Sequence, residues 1–256
     1  MKSITRAFEQ GTATFRPLPD FLIIGGIRCG TTSMIRYLGS HPRVGVPSAG
    51  EVHFFDWNYG RGEGWYRSWF PLKSSRATHV GESSPAYLMN PMVPERVAAL
   101  MPNVKLLLLL REPVERAASH FSLRKAKGHE VEDSLAAALA DESRRLEEKG
   151  RWSERGGRID CYYTQGEYAT GLSRWLEHFP RTQLHVIESG EMFTRPEETY
   201  QAALDFLELP PHDANFEIHN SARRIDVDPQ TLDELRERYA PHNRRLFELV
   251  GRVFDW

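Results

Sequence analysis

The feature that most constrains the fold of this chain is a short apolar segment that leads into a glycine-rich loop. Residues 21–24 are apolar, glycines follow at positions 25, 26 and 30, and apolar residues then recur at helical spacing within residues 31–38. Glycines let successive backbone N–H groups point into one concavity, and the N-terminus of the following helix adds its positive end. The pattern predicts a strand, a phosphate-binding loop and a helix.

The spacing within this loop also bears on which phosphate compound it binds. Gly25 and Gly30 have the separation of the two glycines in the P-loop of nucleoside triphosphatases. The next residue is Thr31, where that motif has its lysine. The loop therefore predicts a phosphate ligand and argues against ATP.

Length and charge limit the organisation of the chain. It has 256 residues, 40% of them hydrophobic, which supports one sizeable α/β core. We expect an N-terminal arm over residues 1–18 and a single domain over residues 19–256. The formal net charge is −2, from 33 basic and 35 acidic residues, so we expect no overall attraction to nucleic acid or to membranes. An anion site must be local.

The cysteines and the N-terminal region bear on the compartment. Cys29 and Cys161 are the two cysteines, and they lie in unlike contexts that do not suggest a disulfide framework. The first twenty residues have no apolar leader, and no apolar run is long enough for a membrane span. We therefore expect a cytoplasmic protein.

A second informative stretch is the apolar run over residues 104–110, whose one charged residue, Lys105, lies near its start; such a run is typical of a strand buried on both faces of a parallel sheet. It ends on Arg111, whereas the equivalent strand of a P-loop nucleoside triphosphatase usually ends on an aspartate that helps to hold magnesium. The following helix carries Ser119, and the two side chains together are suited to grip one phosphate. In the alternative interpretation, Arg111 pairs with Glu112 or Glu115 and Ser119 has no special role.

A third stretch places Glu51, His53 and Asp56 among apolar and aromatic residues. One interpretation is a half-buried strand whose polar face happens to be acidic. The other is a general base in a dry cleft with aromatic walls, where burial raises the pKa of a carboxylate and makes it a better proton acceptor. The residues themselves leave both interpretations open.

Taken together, the segments GIRCGTTSM, EVHFFDW and LLREPVERAASHF resemble the motifs of sulfotransferases that use 3′-phosphoadenosine-5′-phosphosulfate (PAPS). The resemblance is nearest to the heparan sulfate N- and 3-O-sulfotransferase branch and its bacterial relatives. It continues more weakly through residues 165–209 and a basic loop around residue 223. It implies an α/β, three-layer, P-loop-like fold with a central parallel sheet flanked by helices.

The resemblance also implies roles for individual residues. Glu51 would be the catalytic base with His53 as its partner, and Arg28 stands where the family usually has a lysine beside the phosphosulfate. The implied donor-binding residues are Arg28, Cys29, Gly30, Thr31, Thr32 and Ser33 at the 5′ end, and Arg111, Ser119, Arg223 and Arg224 around the 3′-phosphate. No metal is implied.

The implied reaction transfers the sulfuryl group of PAPS to a hydroxyl or amine of a saccharide or small-molecule acceptor and releases adenosine 3′,5′-bisphosphate (PAP). A glycan, a lipid and a polyketide-like molecule are all compatible acceptors. Two alternatives stay open at this point. One is a P-loop kinase or other nucleoside triphosphatase, and the other is a non-catalytic module that binds a nucleotide or an anionic glycan.

Three further segments carry expectations. Glu82, Ser83 and Ser84 are expected to form a polar loop after a short strand at about residues 78–80, and this loop is placed to contact ligand. The basic loop over residues 150–160 contains Arg151, Arg155 and Arg158. We expect these arginines, with Tyr162 and Tyr163, to border the acceptor site. Near the C-terminus, Pro229 and Pro241 are typical first residues of helices, so the sequence predicts two terminal helices, the second ended by Gly251.

Overall fold

The computed structural model describes residues 10–48, 50–72, 77–148, 161–217 and 225–256. Its centre is a five-stranded sheet with the strand order β2-β3-β1-β4-β5, and every strand pair is parallel. The strands are β1 Phe21–Gly25, β2 Val44–Gly45, β3 His79–Ser83, β4 Lys105–Leu110 and β5 Leu184–Glu188.

The central strands form the core of the molecule. All of β1 is buried, and the leucines of β4 are almost completely inaccessible, which confirms the prediction of a strand covered on both faces. The first strand packs closely against its neighbour: a Cβ atom at Gly81 would lie 2.1 Å from the Phe21 ring. Glycine at this position of β3 therefore makes room for the aromatic ring.

Helices flank the sheet, so the predicted α/β class is confirmed. Helix α1 contacts β1, β2 and β3, while α10 packs against α5 and α7. The helices within the described ranges are α1 Thr31–Ser40, α2 Phe54–Trp57, α3 Gly62–Arg67, α4 Val93–Leu100, α5 Pro113–Ala126, α6 Leu135–Glu148, α7 Tyr168–Leu176, α8 Ser189–Thr194, α9 Pro196–Leu207 and α10 Pro229–Val250.

The strand order creates a crevice at one edge of the sheet. Strands β2 and β3 lie on one side of β1, and β4 and β5 lie on the other side. The chain therefore changes direction across the sheet at β1. The carboxyl ends of parallel strands lie at the same edge, and ligands of open α/β sheets bind where the strand order reverses. The loops after β1, β3 and β4 therefore meet at the expected place for a ligand site.

The C-terminal region corrects one prediction. A single helix, α10, runs over the segment in which the sequence predicted two, and Pro241 lies inside it. The predicted start and end are confirmed, because Asp228 caps the first turn through the Thr231 amide and Gly251 adopts the left-handed conformation that ends the helix. Buried residues on both sides of Pro241, such as Tyr239 and Leu246, hold the helix continuous despite the lost hydrogen bond.

Three other expectations concern the chain as a whole. Cys29 and Cys161 are both buried, and neither forms a disulfide. Within the described ranges, no helix combines the length and the apolar character that crossing a membrane requires. The boundary between an arm and the domain at residue 18 stays a prediction, although Arg16 is already buried and donates a hydrogen bond to the Phe70 carbonyl.

Candidate active site

The loop after β1 leads into a helix N-terminus that is open to an anion. Gly30 caps α1 with φ 87°, and the cap has no side-chain hydrogen bond and no acidic residue in the first turn. The left-handed conformation favours glycine, and a Cβ atom at this position would also make the end of the flexible Met192 side chain shift. The first amides of a helix have no intrahelical acceptor, and they suit a phosphate group.

Residues distant in sequence hold this loop in place. The Tyr168 hydroxyl donates to the Arg111 carbonyl at 2.9 Å and lies 3.5 Å from Sγ of Cys29. The Ser189 hydroxyl donates to the Cys29 carbonyl at 2.7 Å. Burial raises the pKa of the Cys29 thiol, as expected for a packed loop residue. Sequence reasoning assigned no role to Tyr168 or Ser189. For the tyrosine, the available signal was its position two residues after Gly166, within residues 165–209, where the resemblance to the family continues.

Cationic side chains gather beside the loop. Arg28 has a left-handed backbone, with φ 68°, and its Nε donates to Oγ of Ser119 at 3.2 Å. Burial, together with the positive charges of Arg111 and Arg116, lowers the pKa of Arg28. A guanidinium whose pKa is lowered by burial and by neighbouring cations is stabilised in its charged form by a bound anion. The structure thus brings together the predicted residues Arg28, Ser119 and Arg111.

The alternative interpretation of Arg111 holds in part. Its Nη2 lies 3.0 Å from Oε2 of Glu115, and both side chains are partly exposed. Glu112 instead caps helix α5 by accepting from the Val114 and Glu115 amides. An exposed pair of this kind contributes little energy, so it does not prevent Arg111 from binding phosphate. The other predicted cations, Arg223 and Arg224, lie outside the described residues, as does the basic loop 150–160. The expectation that Tyr162 borders the acceptor site is wrong, because its side chain is completely buried in a hydrophobic cluster.

Sequence reasoning missed a further cation in this region. Arg116 is completely buried, its Nη2 donates to the Tyr162 carbonyl, and its Nε has no hydrogen-bond partner among the described residues. A buried guanidinium keeps its charge at neutral pH. Arg116 therefore contributes positive potential from behind the loop, and its position in the middle of a helix offered no sequence signal for this.

Glu51, His53 and Asp56 form a hydrogen-bonded row. The interpretation of this stretch as a half-buried strand is wrong, because residues 54–57 form the short helix α2. His53 Nε2 lies 2.9 Å from Oε2 of Glu51, and His53 Nδ1 lies 2.9 Å from Oδ2 of Asp56. The imidazole stacks on Trp57 with ring centroids 3.6 Å apart and planes 9° from parallel. The ring is thus held on three sides.

The two carboxylates determine the charge of His53. Burial by itself lowers the pKa of the imidazole, but the hydrogen bonds to Asp56 and Glu51 outweigh it and raise the pKa to about 9. The ring is therefore protonated at neutral pH and donates one N–H to each carboxylate. Asp56 is 1% exposed, whereas the Glu51 side chain is 46% exposed, so the expected burial of Glu51 in a dry cleft is not observed.

The buried carboxyl group of Glu82 supports this row through two hydroxyl groups. We expected Glu82 to lie in a polar loop that contacts ligand; instead it is completely buried at the end of β3. It accepts from the hydroxyls of Tyr87 and Ser84 at 3.0 and 2.9 Å. Those hydroxyls in turn accept from the backbone amides of Phe54 and His53 at 2.8 and 3.1 Å. Glu82 therefore helps to position the turn that presents His53, which has a left-handed backbone with φ 53°.

Comparison with known proteins identifies the family. The family model described as the sulfotransferase domain matches residues 18–239, which include the loop, the Glu51 row and the cationic cluster. The chain belongs to the sulfotransferase family. This membership favours the sulfotransferase interpretation over the P-loop kinase interpretation, and it classes the protein as an enzyme.

The relatives of this sulfotransferase include heparan sulfate enzymes. It is 30% identical over 292 residues to human heparan sulfate glucosamine 3-O-sulfotransferase 5, a match that covers 100% of this chain and 81% of the human protein. It is 26% identical to mouse heparan sulfate glucosamine 3-O-sulfotransferase 3B1, over 98% of this chain and 67% of that protein.

Solved structures agree with this assignment. A sulfotransferase from Alicyclobacillus acidocaldarius superimposes with a TM-score of 0.81 at 27% identity, and the match covers 93% of this chain and 98% of the other. The sulfotransferase domain from the curacin biosynthetic pathway shares the fold, with a TM-score of 0.51 at 15% identity. The predicted family and fold are therefore confirmed.

Proposed function

We propose that this sulfotransferase takes the sulfuryl group from PAPS and transfers it to an acceptor hydroxyl or amine with Glu51 as the general base. One observation carries the proposal. A single cavity is lined both by Thr32, from the helix that follows the anion-binding loop, and by Glu51. The proposed donor and base therefore face the same space, as an in-line transfer requires.

The chemistry asked of the protein is alignment and charge stabilisation. Sulfuryl transfer resembles phosphoryl transfer, with a loose transition state between two oxygens in line. The Glu51 carboxylate accepts the acceptor proton, an effect typically of about 10²–10⁴-fold. The loop amides and Arg28 stabilise the negative charge that develops on the leaving 5′-phosphate. His53, held between Asp56 and Glu51, orients the base by donating to its Oε2.

The positions of the cationic residues favour PAPS over ATP as the donor. Thr31 stands in place of the P-loop lysine, and Arg111 follows the buried strand where magnesium-dependent enzymes usually have an aspartate. Arg111 and Ser119 would bind a 3′-phosphate, and Arg223 and Arg224 are predicted to close over it. This arrangement suits an adenosine bisphosphate without metal better than it suits Mg-ATP.

Thermal unfolding tests the donor. We expect PAP in the absence of metal to stabilise the protein, because a ligand at 100 times its Kd adds about 2.7 kcal/mol to the free energy of unfolding. Mg-ATP at the same concentration should give a much smaller shift. Stabilisation by Mg-ATP alone would contradict the proposal and favour a kinase.

The Glu51→Gln variant tests the base. The amide cannot accept the proton, so we expect transfer from PAPS to be abolished while the thermal shift with PAP stays within about twofold in Kd. Glu177→Gln, at an exposed carboxylate on the surface, is the matched control. Loss of transfer and PAP binding together would mean that Glu51 is structural, and PAP binding without any transfer by the wild type would indicate a non-catalytic module.

A further inference from the structure

The cavity beside Glu51 extends away from the donor loop, and it has a volume of about 570 Å³. Thr32, Glu51 and Ser83 border it, and they come from three different parts of the sheet edge. Because Glu51 must meet the acceptor hydroxyl, the remainder of the acceptor has to occupy space that adjoins this carboxylate. Cavities of 300–1,000 Å³ typically hold molecules of drug size.

One wall of the cavity is a rigid helix face. Residues 32, 35, 36, 39 and 40 of α1 line it, which is the spacing of one side of an α-helix. The helix approaches the opposite wall closely at Gly39, where a Cβ atom would lie 3.0 Å from Cγ2 of Val46. The width of the cavity is therefore set by direct packing between α1 and the segment that leads to Glu51.

The lining of this cavity is largely apolar and almost uncharged. Ile35, Val46 and Pro47 provide the apolar surface. Among the described residues that line it, Arg36 is the single cation and Glu51 the single carboxylate. This part of the cavity surface therefore suits the apolar body of a small molecule.

We infer that this cavity is the acceptor subsite and that it takes a small hydroxyl compound with an apolar body. The hydroxyl lies at Glu51, and the apolar body packs against Ile35, Val46 and Pro47. This inference rests on the proposed function, because it assumes that Glu51 receives the acceptor proton.

A matched pair of acceptors tests the inference with the full chain and PAPS. n-Octyl β-glucoside, used below its micelle concentration, and methyl β-glucoside carry the same sugar hydroxyls and differ in the apolar tail. An N-sulfated heparosan hexasaccharide serves as the polyanionic probe. We expect kcat/KM for octyl glucoside to exceed that for each of the other two at least tenfold, because burial of apolar surface in the cavity adds binding energy.

Variants of the wall identify the cavity as the subsite. Ile35→Trp fills it and Val46→Asp places a charge against the apolar body, so each should lower kcat/KM for octyl glucoside at least tenfold, mainly through KM. Ile35→Leu should retain activity within about threefold. Val131→Trp is the control, since Val131 is 81% exposed and lies outside the cavity lining. An unchanged thermal shift with PAP shows that each variant is folded.

The outcomes separate this inference from the proposed function. Equal or better transfer to methyl glucoside or to the hexasaccharide, no transfer to octyl glucoside, or wall variants with unchanged KM would each overturn the inference. A thermal shift of the wild type with PAP, together with transfer to any acceptor, would leave the proposed function intact in those cases. Absence of the PAP shift in the wild type would overturn both.

Discussion

Replacing Asp56 with asparagine tests whether the carboxylates beside His53 keep its ring charged. Asp56 is almost completely buried, and its Oδ2 lies 2.9 Å from Nδ1 of His53. Asparagine has nearly the same shape and can still accept a hydrogen bond, but it has no charge. The variant therefore removes the electrostatic part of the interaction and leaves the packing in place.

The magnitude follows from the pKa of His53. The difference between the ordinary value of 6.5 and about 9 corresponds to about 3 kcal/mol of preference for the charged form. Glu51 is 46% exposed and screened by solvent, so we assign most of this preference, about 2 kcal/mol, to Asp56. A pKa raised in the folded state stabilises the protein fully below 6.5, and the contribution is lost as the pH rises through about 9.

Urea unfolding at pH 6 and pH 10 measures the effect. We expect Asp56→Asn to lower the free energy of unfolding by about 2 kcal/mol at pH 6 and by less than about 0.5 kcal/mol at pH 10. An NMR titration of the His53 ring should show a lower pKa in the variant. The alkaline limb of the pH profile of kcat, near pH 9 in the wild type, should move to lower pH in parallel.

A pH-independent loss of stability would refute this reasoning. Equal destabilisation at pH 6 and pH 10 would mean that Asp56 supports the fold by shape or hydrogen bonding rather than by its charge. An unchanged His53 pKa in the variant would show that the raised value has another origin. Asp233→Asn, which removes an exposed carboxylate paired with Arg236 on the surface, is the control and should change little at either pH.

Two further variants test the donor site and the core. Ser119→Ala removes the acceptor for Arg28 Nε, so we expect the Kd for PAP to rise about tenfold. The control is Ser173→Ala, at a partly buried serine on another helix, which should not change this Kd. An unchanged Kd for Ser119→Ala would mean that Ser119 has no role in binding. Gly81→Ala forces a methyl group into the Phe21 ring, so we expect thermal unfolding to show a free energy of unfolding lower by about 1–3 kcal/mol. An unchanged free energy of unfolding would mean that the ring moves aside readily.

The fold was largely predictable because its signals are local. The apolar run before Gly25, the apolar strand before Arg111 and the proline at the start of α5 each depend on neighbours in sequence, and each is confirmed. The second terminal helix was a wrong prediction for the opposite reason. Proline at position 241 is a local signal for a helix start, but packing of the residues around it against α5 and α7 keeps α10 continuous.

In the site, the motifs predicted Glu51, His53, Arg28 and Ser119, whose roles stay predictions. Asp56 was visible as a second carboxylate in the same motif, but its pairing with His53 depends on the turn that residues 53–57 adopt. The buried support from Glu82 was misread as a loop that contacts ligand. Its burial depends on β3 lying between β1 and β2, a strand order that sequence patterns do not contain.

The amino-acid sequence by itself therefore determined the glycine-rich loop between a strand and a helix, the missing P-loop lysine and the family, because these depend on residue types at short spacings. The tertiary structure decided which side chains surround the loop and which line the cavity beside Glu51. It brought Arg28 to Ser119 across 91 residues, and it set α1 against Val46 beside Glu51. Contacts of this kind depend on the order and packing of the strands and helices, which no local pattern encodes.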